Sequence, residues 1–188
     1  MEREYPMKKL ITSIFLQSLF IAALISLTSC AGWDPDREQR KADEVKMTIE
    51  QFLQRDPGLK IFFDMAYGYA VFPTVGKGAY VVGGTYGTGT VYEKGNLVGF
   101  ASIVEASVGL QVGGQAFSEI IFFRDEPALY HFKRGNFEFS AQASAVAVNQ
   151  GAAAKAAYNE GIAVFILPKG GLMADLSAGG QKFTYEPK

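Results

Sequence analysis

Cysteine and histidine are almost missing from this chain, since each occurs once, as Cys30 and His131. A single cysteine excludes an internal disulfide. A structural zinc normally needs several cysteine and histidine ligands, which this sequence does not supply. An excess of one charge is missing too, because 18 basic and 19 acidic residues give a formal net charge of -1. Bulk charge therefore does not indicate a nucleic-acid partner, and we expect neither a metal nor a cofactor.

The chain opens with the pattern of a secretory signal. Lys8 and Lys9 form a basic start, residues 10–27 are uncharged and mostly apolar, and small residues precede Cys30. The ending Leu27-Thr28-Ser29-Cys30 resembles a lipobox, in which the cysteine thiol receives a diacylglyceryl group and the amine freed by cleavage is acylated. Several acyl chains anchor a protein where one would be marginal. We expect residues 1–29 to be a signal peptide and residues 30–36 a lipidated tether.

An uncleaved transmembrane helix is the alternative for this segment, because about 20 apolar residues span a bilayer. The position of the single cysteine favours the lipoprotein. Ala31 follows it rather than aspartate, which by resemblance to Gram-negative lipoproteins favours the outer membrane, on its periplasmic side. Met1 to Pro6 precede the basic start, so Met7 is an alternative first residue.

Helical spacing of apolar residues marks the segment 36–55, where charged side chains fill the intervening positions. The apolar positions are Ala42, Val45, Ile49, Phe52 and Leu53. This amphipathic helix is expected to pack on a core. A membrane-surface role is the alternative, although its polar face carries both signs and interfacial helices are usually rich in Lys and Arg. Asp56-Pro57 then predicts the cap and first residue of a short helix ending near Ala66.

Beyond Tyr67 glycine becomes frequent and period-two alternation predicts strands. We predict half-buried strands at 104–112, 137–145 and 172–178, buried strands at 118–123 and 162–167, a hairpin turn at 94–96, and short helices at 125–132 and 152–158. The expected fold class is α+β. Its glycine-rich, mostly antiparallel sheet would be curled or closed into a barrel, with the amphipathic helix and the short helices packed on it.

Features that could carry catalysis are weak. The glycine-rich segment Gly83–Gly89 lacks the Gly-Lys-Ser/Thr ending and the following helix of a phosphate-binding loop. Glu105 and Glu119 lie in strand-like segments, and paired carboxylates can do acid–base work if they meet. Ser118 lacks a nucleophile elbow, and His131 has no partner in a recognisable motif. We therefore expect no enzymatic activity.

Basic residues beside predicted turns are the candidate binding residues. Lys77 lies in Gly-Lys-Gly, Lys169 in Pro-Lys-Gly-Gly, and Lys133 and Arg134 follow His131. If the segments with Lys77 and Lys169 meet at one end of the sheet, they form a basic rim suited to a lipid headgroup. The alternative is that these lysines are only solvated.

From about Asp36 to Pro187 the chain resembles the SYLF domain family of lipid-binding proteins, and most closely its bacterial lipoprotein branch. The stretches that carry the resemblance, in order, are Ala66–Pro73, Gly76-Lys77-Gly78, Gly83-Gly84, Gly109–Gln115, Glu119–Phe123, Phe139–Ala147 and Lys169–Leu172. The resemblance implies binding of acidic lipids or phosphoinositides. Some eukaryotic relatives also bind actin, which an exported bacterial protein would not meet.

These observations predict an anchored lipoprotein of the bacterial cell envelope. Its SYLF-like domain, residues 37–188, would bind membrane phospholipid, with anionic headgroups favoured. The alternative is a structural envelope lipoprotein that acts through a protein partner and has no lipid pocket.

Overall fold

The computed structural model describes residues 35–79, 82–108, 113–134, 137–138, 145–170 and 181–188. The expected signal peptide and Cys30 lie outside these ranges, as does nearly all of the tether. The chain divides after Glu38 into two compact units. Of the first unit only the beginning of a helix is described. Both hydrophobic clusters lie in the second unit, residues 39–188, so this unit contains the folded core.

The helices follow the predicted pattern. They are α1 Pro35–Arg55, a 3-10 turn Pro57–Leu59, α2 Lys60–Met65, α3 Glu126–Lys133 and α4 Ala152–Lys155. The helix predicted over 152–158 stops earlier, because Ala156 has extended backbone. Aspartates begin two of these elements: Asp56 accepts from the Gly58 N–H, and Asp125 accepts from the Ala128 N–H, both at 3.1 Å.

The described strands are β1 Gly68–Ala79, β2 Val82–Glu93, β3 Asn96–Val108, β4 Gly113–Phe123, β5 Phe137–Glu138, β6 Ala145–Ala147, β7 Ile162–Gly170 and β8 Lys182–Pro187. They form one sheet in the order β5-β8-β3-β2-β1-β4-β7-β6. All pairings are antiparallel except β6 with β7. The predicted α+β class is confirmed, and the strands that are described leave the sheet open, with β5 and β6 at its edges.

Several local predictions can be compared with this sheet. The turn between β2 and β3 has positive φ at Lys94 and Gly95, as a two-residue type I′ hairpin requires. The buried strands at 118–123 and 162–167 are confirmed in β4 and β7. Residues 109–112, 139–144 and 171–180 lie outside the described part of the chain. The strands predicted at 104–112 and 137–145 are therefore described only in their remaining residues, and the strand predicted at 172–178 lies wholly outside it.

Two hydrophobic clusters lie on opposite faces of the sheet. The inner cluster contains Phe72, Ile121 and Phe132 and also receives Ala145 from one edge and Phe183 from near the other. Shared contacts between distant strands mean that the sheet curls around this cluster. Burial of each large side chain stabilises the fold by about 1.5–3 kcal/mol.

The outer cluster attaches α1 and α2 to β1, β4 and β7. Phe52 of α1 and Phe62 of α2 are buried against this face. Phe122 is its centre, with ring centroids 5.4 Å from Phe62, 4.8 Å from Phe63 and 5.8 Å from Phe165. Most of these ring pairs are tilted or edge-to-face, the geometries that aromatic side chains prefer.

A bulge in β1 sets the register of this strand against its two neighbours, β2 and β4. The pairing of β1 with β2 shifts between Val71 and Thr74, and Pro73 cannot donate to a ladder hydrogen bond. Ser118 Oγ donates to the Pro73 carbonyl at 2.7 Å, which fixes the bulge against β4. Beside the bulge, Gly89 lets β2 approach β1 closely, since a Cβ on Gly89 would lie 2.5 Å from the Val71 carbonyl oxygen.

Candidate functional site

The helices α1 and α2 cover only part of the outer face of the sheet. Side chains alternate along a strand, and Val91 belongs to the inner cluster, so Tyr86, Thr88 and Thr90 face outward on β2. Thr90 is buried, whereas Thr88 is exposed. On β3, Lys41 of α1 lies 5.7 Å from the ring centroid of Phe100. The covered area therefore ends beside Thr90 and Phe100, and the outward positions beyond them are open.

A row of hydroxyl side chains crosses this uncovered area. Thr74 lies opposite Thr88, Thr88 opposite Ser102, and Ser102 opposite Thr184. The row spans β1, β2, β3 and β8, which is about 14 Å at about 4.8 Å per strand. Ser102 Oγ and Thr184 Oγ1 are 3.1 Å apart and share a hydrogen bond. We call these four residues the hydroxyl row.

A second row lies beside it. Tyr86 is opposite Val104, and Val104 is opposite Lys182. Tyr86 is 62% exposed and Val104 is 50% exposed, which is high for large apolar side chains in a sheet. We call the hydroxyl row, these three residues and Lys169 the open face.

Lys169 reaches the open face from β7. Its Nζ donates to Thr74 Oγ1 at 2.9 Å, across the intervening strand β4. The backbone of Lys77 in β1 pairs with Gln115 of β4, and Gly170 pairs with the adjacent Ala116. The segments with Lys77 and Lys169 thus meet at one end of the sheet, as hypothesised. They do so within strands rather than turns, and the Lys77 side chain is outside the described part.

Lys133 and Arg134 lie at the other end. Lys133 forms an ion pair with Glu93, which pairs with Gly68 at the start of β1. Nine positions of β1 separate Gly68 from Lys77, about 30 Å at about 3.3 Å per residue. Arg134 is exposed and its backbone N–H ends α3. The structure therefore does not bring the four predicted basic residues into one site.

Glu93 has two donors in this end cluster. The hydrogen bond from Lys133, together with one from Tyr67, holds the pKa of Glu93 below its ordinary value. Tyr67 donates to Glu93 at 3.0 Å. This bond, followed by burial and the charge of Glu126, raises the pKa of Tyr67 to about 12. Lys133 also lies 5.9 Å from the Tyr185 ring centroid. The Lys133 ammonium group thus makes contacts with Glu93 and Tyr185 that join α3 to the sheet.

The carboxylates considered for catalysis are not on neighbouring strands. Glu119 is fully buried in β4 and accepts from the Gln181 side chain at 3.3 Å. The backbone of Glu105 is in β3, and β2 and β1 separate β3 from β4. Ser118 is buried and donates to Pro73, which is a structural role. His131 is exposed on α3.

Comparison with known proteins finds a family match in the second half of the chain. Residues 104–187 match the family model described as Ysc84, Las17-binding protein actin regulator, which is the SYLF family. The match covers 84 of the 188 residues, a little less than half of the chain. Its resemblance to that family is confirmed.

The chain is also similar to a curated protein. The chain is 28% identical over 134 residues to beta cell expansion factor A of Aeromonas veronii. The aligned part covers 71% of this chain and 51% of the relative, so the chain spans about half of that protein's length. None of the helices in the described part of the chain combines the length and apolar character needed to cross a bilayer.

Most open-face residues were not predicted from the sequence. Val104, Lys169, Lys182 and Thr184 lie inside the matched SYLF segment, whereas the residues on β1 and β2 precede it. The alternation of Tyr86, Thr88 and Thr90 was a usable signal for one strand. Their alignment with residues on other strands depends on register, and between β1 and β2 the bulge near Pro73 sets it.

Proposed function

We propose that this protein is a membrane-anchored lipoprotein of the bacterial cell envelope whose SYLF domain binds phospholipid with anionic headgroups. The observation that carries the lipid-binding role is the SYLF match over residues 104–187. The lipobox-like ending supports an anchor at Cys30, and Ala31 supports the periplasmic side of the outer membrane. The role is one of binding and not of catalysis. The family description as an actin regulator is not carried over, because an envelope protein would not meet actin.

The proposed headgroup contacts are Lys169 and Lys77. Lys169 is exposed, and its ammonium group is positioned by a neutral hydroxyl rather than by a carboxylate, so its charge is not neutralised by that contact. Each lysine near an anionic surface contributes about 1 kcal/mol. Lys133 is paired with Glu93, so we expect a smaller contribution from it than from Lys169.

The test uses residues 31–188, which lack Cys30, because an acylated protein binds membranes whatever its domain does. This fragment retains the whole unit 39–188 and both hydrophobic clusters. Flotation with vesicles of phosphatidylcholine alone and with added phosphatidylglycerol measures the domain's own affinity. We expect saturable binding that requires the anionic lipid and weakens as salt shortens the Debye length. If no composition binds the fragment, the anchor is the only membrane contact and a protein partner becomes the better hypothesis.

Two double variants compare the ends of the sheet. Lys77→Ala/Lys169→Ala removes two charges at the open-face end, and Lys133→Ala/Arg134→Ala removes two at the other. Losing about 2 kcal/mol would weaken binding roughly 30-fold in the first variant. Equal affinities of the first variant and the parent would reject the assignment of Lys77 and Lys169.

A further inference from the structure

The inner face of the curled sheet changes from apolar to polar along its length. Near α3 the inward side chains belong to the inner cluster. Because side chains alternate along a strand, the inward positions farther along β2 and β4 include Thr85, Gln115 and Glu119. Gln181 is buried as well, two residues before the inner-cluster residue Phe183. We call Thr85, Gln115, Glu119 and Gln181 the inner polar end.

Three of these four side chains are almost completely buried. Glu119 is 0% exposed, Gln181 is 1% exposed and Thr85 is 2% exposed, whereas Gln115 is partly exposed. The inner polar end therefore reaches the surface at Gln115. Gln181 Nε2 donates to Glu119 Oε2 at 3.3 Å, a contact between the start of β8 and β4 across the interior of the sheet. Burial of such groups is costly unless their hydrogen bonds are made.

The amide oxygen of Gln181 is the atom that indicates a ligand. Within the described part of the chain, this Oε1 atom is buried and accepts no hydrogen bond. Reversing the amide would not help, because its oxygen would then face the Glu119 carboxylate, which only accepts when ionised. A buried acceptor without a donor is unfavourable, and in a native structure it indicates a bound water, ion or ligand.

The groups beside this atom favour a ligand that donates hydrogen bonds. An ionised carboxylate accepts about four hydrogen bonds, so Glu119 has capacity beyond the bond from Gln181. An ammonium group has three N–H donors and no acceptor, which complements a carboxylate and an amide oxygen. Ca²⁺ takes about six to eight oxygen ligands, and the described residues contain no group of three or more His, Cys, Asp or Glu side chains suited to a metal.

The row at the outer limit of the inner polar end carries both signs of charge. On one side of Thr85 the backbone of Lys77 pairs with it, and on the other side the backbone of Glu105 does. Lys77 also pairs with Gln115 on β4. Alternation from the inner-cluster residues two positions earlier on each strand places both charged residues on the inner face. A row with both signs suits a ligand that itself carries both signs.

We propose that the inner polar end binds a small zwitterion with a primary ammonium group a few atoms from a phosphate. The ammonium group lies between Glu119 and Gln181, and the phosphate lies toward the row of Lys77 and Thr85. Phosphate is chosen as the acidic group because the proposed function is phospholipid binding, and this part of the inference rests on that function. The same chemistry is present in the headgroup of phosphatidylethanolamine and in free phosphoethanolamine.

Three soluble molecules test the ammonium site without any substitution. Calorimetric titration of residues 31–188 would compare phosphoethanolamine with phosphocholine, whose nitrogen has no N–H donor, and with glycerol phosphate, which has no nitrogen. We expect phosphoethanolamine to bind at least about tenfold more tightly than either, since hydrogen bonds to charged groups are lost in both. Equal affinities, or no binding of phosphoethanolamine, would overturn the inference and leave water as the occupant of the inner polar end.

Substitutions then assign the contact to named residues. Glu119→Gln keeps the shape of the side chain and removes its charge, and we expect phosphoethanolamine to bind about 30-fold more weakly. Gln181→Met removes the amide oxygen at similar length and should also weaken binding. Glu93→Gln is the matched control, because it neutralises a carboxylate at the other end of the sheet. Parent affinity in both Glu119→Gln and Gln181→Met would refute the site, and urea unfolding shows which variants are folded.

Vesicles distinguish the two sources of the ligand and separate this inference from the proposed function. Flotation that increases with phosphatidylethanolamine and depends on Glu119 assigns the lipid headgroup, whereas calorimetric binding without that increase assigns the free molecule; both support the site. A fragment that floats with phosphatidylglycerol but binds neither form of phosphoethanolamine refutes the inference and leaves the proposed function intact. Binding of phosphoethanolamine without any binding to phosphatidylglycerol keeps the site and refutes the preference for anionic headgroups.

Discussion

Replacing Gly89 by alanine tests the close packing of β2 on β1. A Cβ at this position would lie 2.5 Å from the Val71 carbonyl oxygen and 2.6 Å from Cδ1 of Phe72. Ordinary contact begins near 3.4 Å, so the shortest gap is too small by 0.9 Å (3.4 minus 2.5). One neighbour is backbone and the other is a fully buried ring, and neither can move cheaply.

The expected cost follows from the usual effect of overpacking a core, about 1–3 kcal/mol. Glycine in a strand is itself unfavourable by about 0.5–1 kcal/mol relative to alanine, and the substitution recovers part of this. The free energy of unfolding should therefore fall by about 1–2 kcal/mol. With a urea dependence near 2 kcal/mol/M, the midpoint falls by about 0.5–1 M.

Gly76→Ala is the matched control. It lies on the neighbouring strand, and a Cβ there meets nothing within 4 Å. The control should be neutral or slightly stabilising, because only the strand penalty of glycine is removed. Urea unfolding followed by far-UV circular dichroism measures both variants of residues 31–188. If Gly89→Ala were as stable as the parent, or if Gly76→Ala lost as much, the close approach would not explain the glycine.

Three further predictions concern other parts of the fold. Asp56→Ala should cost about 1–2 kcal/mol at neutral pH, because Asp56 also accepts from the Ala153 N–H at 2.7 Å. Burial raises the pKa of Asp56, but hydrogen bonds from backbone N–H groups outweigh burial and hold that pKa below 3.8. The ionised carboxylate therefore stabilises the fold at neutral pH, and this stabilisation is lost as the pH falls through the pKa of Asp56 in the folded protein. An equal cost of Asp56→Ala at pH 7 and pH 2.5 would contradict the assignment. Phe122→Ala should cost about 3–5 kcal/mol in urea unfolding, through a cavity among four aromatic neighbours. Tyr67 should ionise near pH 12, so any stabilisation from its hydrogen bond is present below pH 10 and lost above pH 12. Subtracting the pH-dependent absorbance of Tyr67→Phe from that of the parent isolates the titration of Tyr67. A midpoint near pH 10 would show that the bond to Glu93 is absent.

Features set by a few adjacent residues could be predicted from the sequence. The hairpin at Lys94-Gly95 follows from the preference of short turns for residues that accept positive φ. The start of the 3-10 turn Pro57–Leu59, which leads into α2, follows from Asp56-Pro57. These signals are local, so tertiary packing was not needed to interpret them.

Contacts between distant segments could not be predicted in this way. Asp56 begins one helix by a local rule, but its second acceptor role joins it to Ala153, 97 residues away. Lys169 was placed at a turn because of the glycines after it, whereas glycine here continues a strand. The pairing of Lys133 with Glu93 depends on α3 folding back toward the β2–β3 hairpin, which no local pattern encodes.

The same dependence on register explains why the open face exists. Side chains alternate along a strand, so a slip of one residue exchanges its inner and outer sets. The extra residue near Pro73 returns Val75 to the inner cluster and leaves Thr74 outward, level with Thr88. Without the bulge, Thr74 would face the core and Lys169 would lose its hydroxyl partner. The bulge, held by Ser118, therefore links the packing of the core to the position of a surface lysine, and Ser118→Ala should weaken vesicle binding only if that link controls Lys169.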